Sequence, residues 1–241
     1  MATEPTFTPE MTLADVIRRL PEAVDVFEVA EIDFSCQGAR TLADAAKEGG
    51  YVIEDLIERL ETSRRQNRAK DWFEESLTDL MQFLLSDHRT TLGDRIPGIQ
   101  NEIERVTGSI GETTEIQRIR VLFSNLAASL TTHVMNEERD LFPFITDLDA
   151  AISESTGPPR MRISQRVLRE LVEHETFRDR FRTLRELAGR LPDNDVVAAL
   201  RRDLKLFSNE VHRHMHLENN VLYPRAIEIE NGLRRSRAAS A

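Results

Sequence analysis

The chain has 241 residues, of which 40% are hydrophobic, so it is long enough for one domain, or for a small and a large one, with packed cores. Its formal net charge of −10 argues against a nucleic-acid partner, because affinity for phosphates depends on clustered Lys and Arg. No run of about 18 apolar residues and no leader-like N-terminus is present, so we expect a cytoplasmic protein with no membrane partner, and the lone Cys36 fits a reducing compartment.

Residues 1–63 are predicted to form a small helical domain. Thr12 followed by Asp15, and Thr41 followed by Asp44, are capping patterns that start short helices. A further helix follows, with these apolar residues on one face: Val52, Ile53, Leu56, Ile57 and Leu60. The polar stretch 61–70 is then predicted to be a linker or an exposed helical joint.

From residue 71 onward the sequence predicts four long amphipathic helices, over about 71–108, 112–147, 162–190 and 194–230. Glycine and proline clusters separate them, among them the Gly157-Pro158-Pro159 loop, and Pro97 should kink or interrupt the first. Four helices with short connections indicate an all-α protein whose larger domain, residues 71–230, is an antiparallel bundle. Such bundles build metal sites in their interior. We expect residues 231–241 to be a disordered tail.

An eleven-residue pattern occurs twice, at residues 133–143 and 214–224, and both copies read His-x-x-x-Glu-x-x-x-Leu-aromatic-Pro. Because four residues make about one helical turn, each His and its Glu lie on the same face. Two such pairs on facing helices would bring nitrogen and carboxylate ligands to a dinuclear centre. The four ligands predicted from the pattern are His133, Glu137, His214 and Glu218.

The apolar stripe of each predicted bundle helix carries one histidine into the core: His88, His133, His174 and His214. Burial of Glu137 is costly unless the carboxylate is paired or binds a metal ion, and the same holds for Glu218. The metal interpretation is therefore favoured, and the alternative is a core with two hydrogen-bonded His–Glu pairs.

Polar residues close to these ligands are predicted to lie at the surface. His212 and His216 share a different helical face from His214 and are left out of the site. Glu170 and Glu210 each lie one turn before a core histidine. They could accept a hydrogen bond from an imidazole, but flanking surface charge is the favoured interpretation.

Four imidazoles and two carboxylates suit a pair of iron ions bridged by the carboxylates, with zinc or manganese as alternatives. The ferritin-like Glu-x-x-His arrangement is excluded, because apolar residues stand three positions before each core histidine. The His-Glu-x-x-His pattern of zinc proteases is excluded too, because His174-Glu175 is followed by Arg178 at the position of the second His.

This ligand pattern resembles the hemerythrin-like domain of the repair-of-iron-centres proteins (YtfE/ScdA type) over about residues 71–230. Hemerythrin itself would carry a further His at the position of Arg178, so the resemblance implies an open position for a small ligand. The segment Asp33-Phe34-Ser35-Cys36-Gln37-Gly38, followed by Thr41-Leu42, is similar to the N-terminal signature of that family, Asp-Phe-Cys-Cys-Gly-Gly. Ser35 replaces the first cysteine and Gln37 the first glycine.

The resemblance implies a di-iron protein that takes part in repairing iron–sulfur clusters damaged by nitric oxide or oxidants, with iron donation as one route. Its partners would be damaged iron–sulfur proteins, with NO or O2 as small ligands; a homodimer and catalytic turnover are left open. Cys36 is either a thiol that acts in repair or a small apolar residue in a loop. The rival functions are a hemerythrin-like carrier or sensor of O2 or NO, an enzyme that reduces NO or peroxide, and a purely structural helical protein.

Overall fold

The computed structural model describes residues 7–20, 22–66, 72, 75–153 and 162–239. The helices are α1 (Leu13–Arg19), α2 (Ala23–Val29), α3 (Leu42–Gly49), α4 (Ile53–Gln66), α5 (Leu77–Thr90), α6 (Ile96–Ile110), α7 (Thr114–Asn136), α8 (Phe142–Ser153), α9 (Ile163–Gly189), α10 (Asp195–Leu217) and α11 (Tyr223–Ala239). Single π-helical turns join some of them: π1 (Thr91–Arg95), π2 (Glu137–Leu141) and π3 (Glu218–Leu222). The described residues form no strand, so the predicted all-α fold is confirmed.

The chain divides into two compact units. The first contains Met1–Ser76 together with the short stretch Met215–Val221, and the second contains Leu77–His214 and Leu222–Ala241. Within the described residues, no helix is both long and apolar enough to cross a membrane.

The helices α1 and α3 begin at the predicted caps. The hydroxyl of Thr12 accepts a hydrogen bond from the backbone N–H of Asp15, and Thr41 does the same for Asp44, so each satisfies a donor that the first turn leaves open. An isolated bridge between the two threonines holds the two caps side by side. Behind them lies an apolar core whose largest fully buried members are Phe7, Leu13, Phe27, Phe34, Leu42, Leu56 and Leu60.

The second unit is a bundle of four helical segments, formed by α5–α6, by α7–α8, by α9, and by α11 together with α10 as far as His214. Buried phenylalanines mark its interior: the rings of Phe181 and Phe207 lie 5.3 Å apart, and those of Phe123 and Phe207 lie 6.4 Å apart, centroid to centroid. The predicted four-helix architecture is confirmed.

Each π-turn ends two residues before a proline, Pro97, Pro143 or Pro224. Proline has no N–H to donate, and its ring crowds the carbonyl four residues earlier, which in each case lies inside the π-turn. A wider turn relieves that crowding without ending the helix. The predicted interruption at Pro97 is thus confirmed, and the same explanation applies to the prolines of the two repeats, where the sequence predicted regular helix.

The helix boundaries differ from the prediction at two places. The first bundle helix begins at Leu77 rather than near residue 71. The predicted disordered tail is instead helical, since α11 continues to Ala239. Arg234 donates to the Glu230 carboxylate one turn earlier at 2.7 Å, and Ala, Leu and Arg all favour helix. Residues 240–241 and the Gly157-Pro158-Pro159 loop lie outside the described residues.

We expect Thr41→Ala to lower the free energy of unfolding by about 1 kcal/mol, because it removes the cap of α3. The matched control is Thr62→Ala, which changes an exposed residue inside α4, where alanine is the better helix former. Urea denaturation of the full chain, followed by circular dichroism, measures both. Equal stability of the two variants would contradict the capping role.

Candidate metal centre

The six predicted metal ligands come from all four segments of the bundle. They are His88 on α5, His133 at the end of α7, Glu137 at the start of π2, His174 on α9, His214 on α10 and Glu218 at the start of π3. All are buried except His214, whose side chain is 14% exposed. The structure therefore brings together the residues that the helical stripes selected.

These residues form two overlapping groups whose ligand atoms lie within 4.8 Å of one another. One group comprises His88, Glu137, His214 and Glu218, and the other comprises His133, Glu137, His174 and Glu218. Glu137 and Glu218 belong to both groups. Each group could hold one metal ion, with the two carboxylates placed to be shared between the ions.

The histidine pairs have the spacing of two ligands on one ion. His88 Nε2 lies 3.1 Å from His214 Nε2, and His133 Nε2 lies 3.1 Å from His174 Nε2. Two nitrogens that bind one ion at about 2.1 Å, and at about a right angle to each other, stand about 3 Å apart. The donor set and its spacing thus fit metal ions.

The Glu137 carboxylate is 0% exposed, and its Oε2 makes no hydrogen bond among the described residues. This oxygen lies 3.4 Å from His88 Nε2, and Oε1 lies 3.5 Å from His133 Nε2, both long for a hydrogen bond. A buried carboxylate oxygen left in this way, like Oε2, is unfavourable unless a cation compensates it. The observation favours metal binding over hydrogen-bonded His–Glu pairs.

Further carboxylates contact the outer nitrogens of three of these histidines. Glu138 lies 3.1 Å from His88 Nδ1, Glu173 lies 2.9 Å from His133 Nδ1, and Asp87 lies 3.4 Å from His214 Nδ1. Such contacts fix the ring orientation and leave Nε2 facing the interior of the site. The hydrogen bond from His133 also holds the pKa of the Glu173 carboxyl below its usual value.

Sequence reasoning missed Asp87, Glu138 and Glu173. Each is adjacent in sequence to a ligand on its own helix and contacts the histidine of a neighbouring helix. An acidic residue next to a predicted ligand is therefore the signal that could have found them.

The predictions for Glu170 and Glu210 have different outcomes. Glu170 was assigned to the surface, or to a hydrogen bond with His174, but it is 5% exposed, and its Oε2 lies 3.0 Å from His133 Nδ1. The wide helical face of α9 that packs on α7 explains this burial. Glu210, by contrast, forms an ion pair with Arg95 at the surface.

The surface assignment of His216 was wrong. In the first unit its side chain is 2% exposed and meets the edge of the Phe34 ring, with centroids 5.6 Å apart. Burial lowers the pKa of His216 to about 3, which keeps it neutral. The ring of His212 packs against Phe181, with centroids 6.3 Å apart, so it too is only partly exposed. Neither histidine is among the metal-binding groups found in the described part of the chain.

Cys36 lies in a tight turn organised by Asp33. Oδ1 of Asp33 accepts hydrogen bonds from the Cys36 backbone N–H at 3.0 Å and from the Ser35 hydroxyl at 3.1 Å. Cys36 is partly exposed and belongs to none of the metal-binding groups of the described residues. Its place within the first unit is therefore that of a thiol held in a turn.

A surface cavity of about 380 Å³ lies between α7 and α9, beside the His133 half of the site. Its lining includes Thr132, Glu173, Phe177 and Arg180. Two of these contact His133, one of the predicted ligands: Glu173 by the hydrogen bond described above, and Phe177 with its ring, at a centroid distance of 5.2 Å. The cavity thus reaches two residues that contact this histidine.

Comparison with known proteins identifies two domain families. Residues 9–64 match the ScdA_N family, described as a domain of unknown function (DUF542), and residues 166–239 match the hemerythrin HHE cation binding domain. The chain is also similar to the iron–sulfur cluster repair protein YtfE of Yersinia pseudotuberculosis serotype IB (strain PB1/+) and of Yersinia pestis (strain Pestoides F). Each is 26% identical over 217 residues, which is 88% of this chain and 94% of the relative. These findings agree with the resemblance drawn from the sequence.

The hemerythrin match covers only part of the candidate site. It includes His174, His214 and Glu218, whereas His88, His133 and Glu137 precede the matched residues. The inclusion of these three in the site therefore depends on the geometry of the bundle, in which they complete the two groups of donors.

We expect His214→Ala to lose bound iron and His212→Ala to keep it, because only His214 belongs to a group of metal donors. The two variants lie two residues apart on α10 and form a matched pair. Metal content per chain, measured after anaerobic loading with ferrous iron, tests the difference. Loss of iron in the His212 variant alone would overturn the register of the site.

Proposed function

Because the chain joins an ScdA_N domain to a hemerythrin HHE domain, and so matches the YtfE/ScdA type of repair-of-iron-centres protein, we propose that it repairs damaged iron–sulfur clusters by means of a di-iron centre. The observation that carries the proposal is the pair of overlapping donor groups that share Glu137 and Glu218. The proposed ligands are the six residues His88, His133, Glu137, His174, His214 and Glu218.

The donor set supports iron as the metal. Imidazole suits iron, zinc and copper, whereas carboxylate suits harder ions, and a site that mixes both without a thiolate fits iron well. Each group offers four donor residues, and iron commonly takes about six ligands, so positions are left for small molecules. Arg178, one turn after His174, supplies no further donor, since a guanidinium cannot bind a cation.

The residues around the site support this use of iron. The outer carboxylates keep three imidazoles oriented with Nε2 inward. Aromatic rings cover the histidines and limit access of water: Phe142 stacks on His88, with centroids 5.7 Å apart, and Phe177 meets the edge of His133. When bound, the iron pair supplies sites for NO or O2 and a source of ferrous iron for a damaged cluster.

In the proposed repair, iron is the substrate that is transferred. Two features of the site would favour the release of iron. The carboxylate ligands can accept protons, which weakens their hold on a cation. The cavity between α7 and α9 brings solvent to Glu173, the hydrogen-bond partner of His133. The damaged iron–sulfur proteins are the proposed partners, as the name of the relatives indicates.

A reversible carrier or sensor of NO or O2 is the second candidate, favoured by the positions that four donors per group leave open. It predicts a stable adduct of the small ligand and no loss of iron from the protein. An enzyme that reduces NO or peroxide predicts many turnovers with an electron donor. The repair assay below separates these outcomes.

We expect the iron-loaded protein to restore the activity of an iron–sulfur hydratase inactivated by NO, with a matching loss of iron from the protein. The assay contains a chelator that captures free ferrous iron, so that recovery requires transfer between proteins. Glu137→Ala is the inactive control, because it removes a shared ligand, and free ferrous iron at the same concentration is the second control. A stable NO adduct without recovery would instead establish the carrier, and catalytic consumption of NO would establish the reductase.

Cys36→Ser tests the N-terminal thiol. We expect this variant to retain its iron, because Cys36 lies outside the metal-binding groups of the described residues, and to repair the hydratase more slowly. The serine keeps the size of the side chain, and the Asp33 contact to the backbone N–H is unaffected. Repair at the rate of the unchanged protein would show that the thiol takes no part.

A further inference from the structure

The two copies of the eleven-residue repeat differ at their aromatic position. Phe142 occupies it in the first copy and Tyr223 in the second. Both rings stack on a histidine of another helix: Phe142 on His88, with centroids 5.7 Å apart and an angle of 11°, and Tyr223 on His174, with centroids 6.3 Å apart and an angle of 14°. The aromatic position thus has the same packing role in both halves, and the hydroxyl of Tyr223 is the chemical difference between them.

That hydroxyl points into the site. Tyr223 is 1% exposed, and its Oη donates a hydrogen bond to Oε1 of the fully buried Glu137 at 2.8 Å. A hydrogen bond to an ionised carboxylate in a dry interior is strong, because both partners have left water. The tyrosine therefore contacts one of the two carboxylates that the metal groups share.

The contact acts on one side of the carboxylate only. Oε1 of Glu137, which accepts the hydrogen bond, is the oxygen nearer His133 Nε2, at 3.5 Å. Oε2 faces His88 Nε2 at 3.4 Å and makes no hydrogen bond among the described residues. The two oxygens of one bridging group are thus chemically unequal before any metal binds.

We propose that Tyr223 is a positioning residue that makes the two metal sites unequal in strength. By donating to Oε1 it draws negative charge away from the oxygen nearer His133, and so would weaken the hold on an ion bound by His133 and His174. An ion held by His88 and His214 would meet the unmodified Oε2 and would be held more tightly. This inference rests on the proposed di-iron centre and names the half of it that releases iron first.

The variant Tyr223→Phe tests the proposal, because it removes only the hydroxyl oxygen. The phenyl ring that remains is the one that Phe142 already has at the same position of the first repeat. Tyr51→Phe is the matched control, since Tyr51 is the other tyrosine of the chain and lies against the core of the N-terminal unit. The measurements are the time course of ferrous iron release to a chelator and the Mössbauer spectrum of the loaded protein.

We expect the unchanged protein and Tyr51→Phe to release iron in two phases and to show two distinct quadrupole doublets. In Tyr223→Phe the faster phase should slow by at least about fivefold, as expected for loss of one charge-assisted hydrogen bond, while the slower phase stays the same. The two doublets should move closer together, at an unchanged iron content. A purely structural tyrosine would instead lower the iron content or speed both phases equally.

The failure of this inference and that of the proposed function are distinguishable. Two irons in the unchanged protein, with identical release from Tyr223→Phe, would overturn the role of Tyr223 and leave the di-iron centre standing. Fewer than two irons in the unchanged protein would overturn the proposed function, and the inference with it.

Discussion

A fully buried carboxylate surrounded by imidazole nitrogens is the constraint on which the bundle depends. Glu137 is 0% exposed, and the nearest ring nitrogens, on His88 and His133, lie at 3.4 and 3.5 Å. Imidazole nitrogens can offer lone pairs to a cation, and the outer partners Asp87, Glu138 and Glu173 add carboxylates around them. Carboxylates collected in this way are unfavourable in a purely hydrophobic interior and favourable in a site for divalent cations.

The backbone of the two repeats also helps to place the buried carboxylates. In each repeat, the proline that follows the Leu-aromatic pair cannot continue a regular helix, and a π-turn takes up the mismatch. Glu137 and Glu218 are the first residues of these turns, one turn after their histidines. The sequence repeat therefore encodes more than a ligand spacing: it encodes a helix, a widened turn and a second helix, with the carboxylate at the junction.

The sequence predicted which polar side chains lie together in the core better than it predicted the contacts around them. The period of 3.6 residues identifies the face of a helix that is turned to the interior. This was sufficient to predict that His88, His133, His174 and His214 lie in the core. It was insufficient for His216, because what covers a helical face depends on a distant segment, here the loop that carries Phe34. The contacts of Glu173 and Glu170 with His133 were missed for the same reason, since periodicity gives the face of one helix and not the register of two.

The surroundings also explain why a repeated motif need not give two equal halves. In the first unit, the side chains of Asn219 and Asn220 donate to the backbone carbonyls of Ser35 and Phe34, and a side chain at Gly38 would overlap Asn220. The stretch that carries Glu218 is therefore held by hydrogen bonds to the loop of the N-terminal signature, whereas Glu137 is held by the hydroxyl of Tyr223. Glu137 and Glu218, which have the same sequence context, thus have different supports. Because both carboxylates belong to both groups of donors, the proposed inequality of two metal ions would come from the Tyr223 hydrogen bond to one oxygen of Glu137 and not from this difference in support.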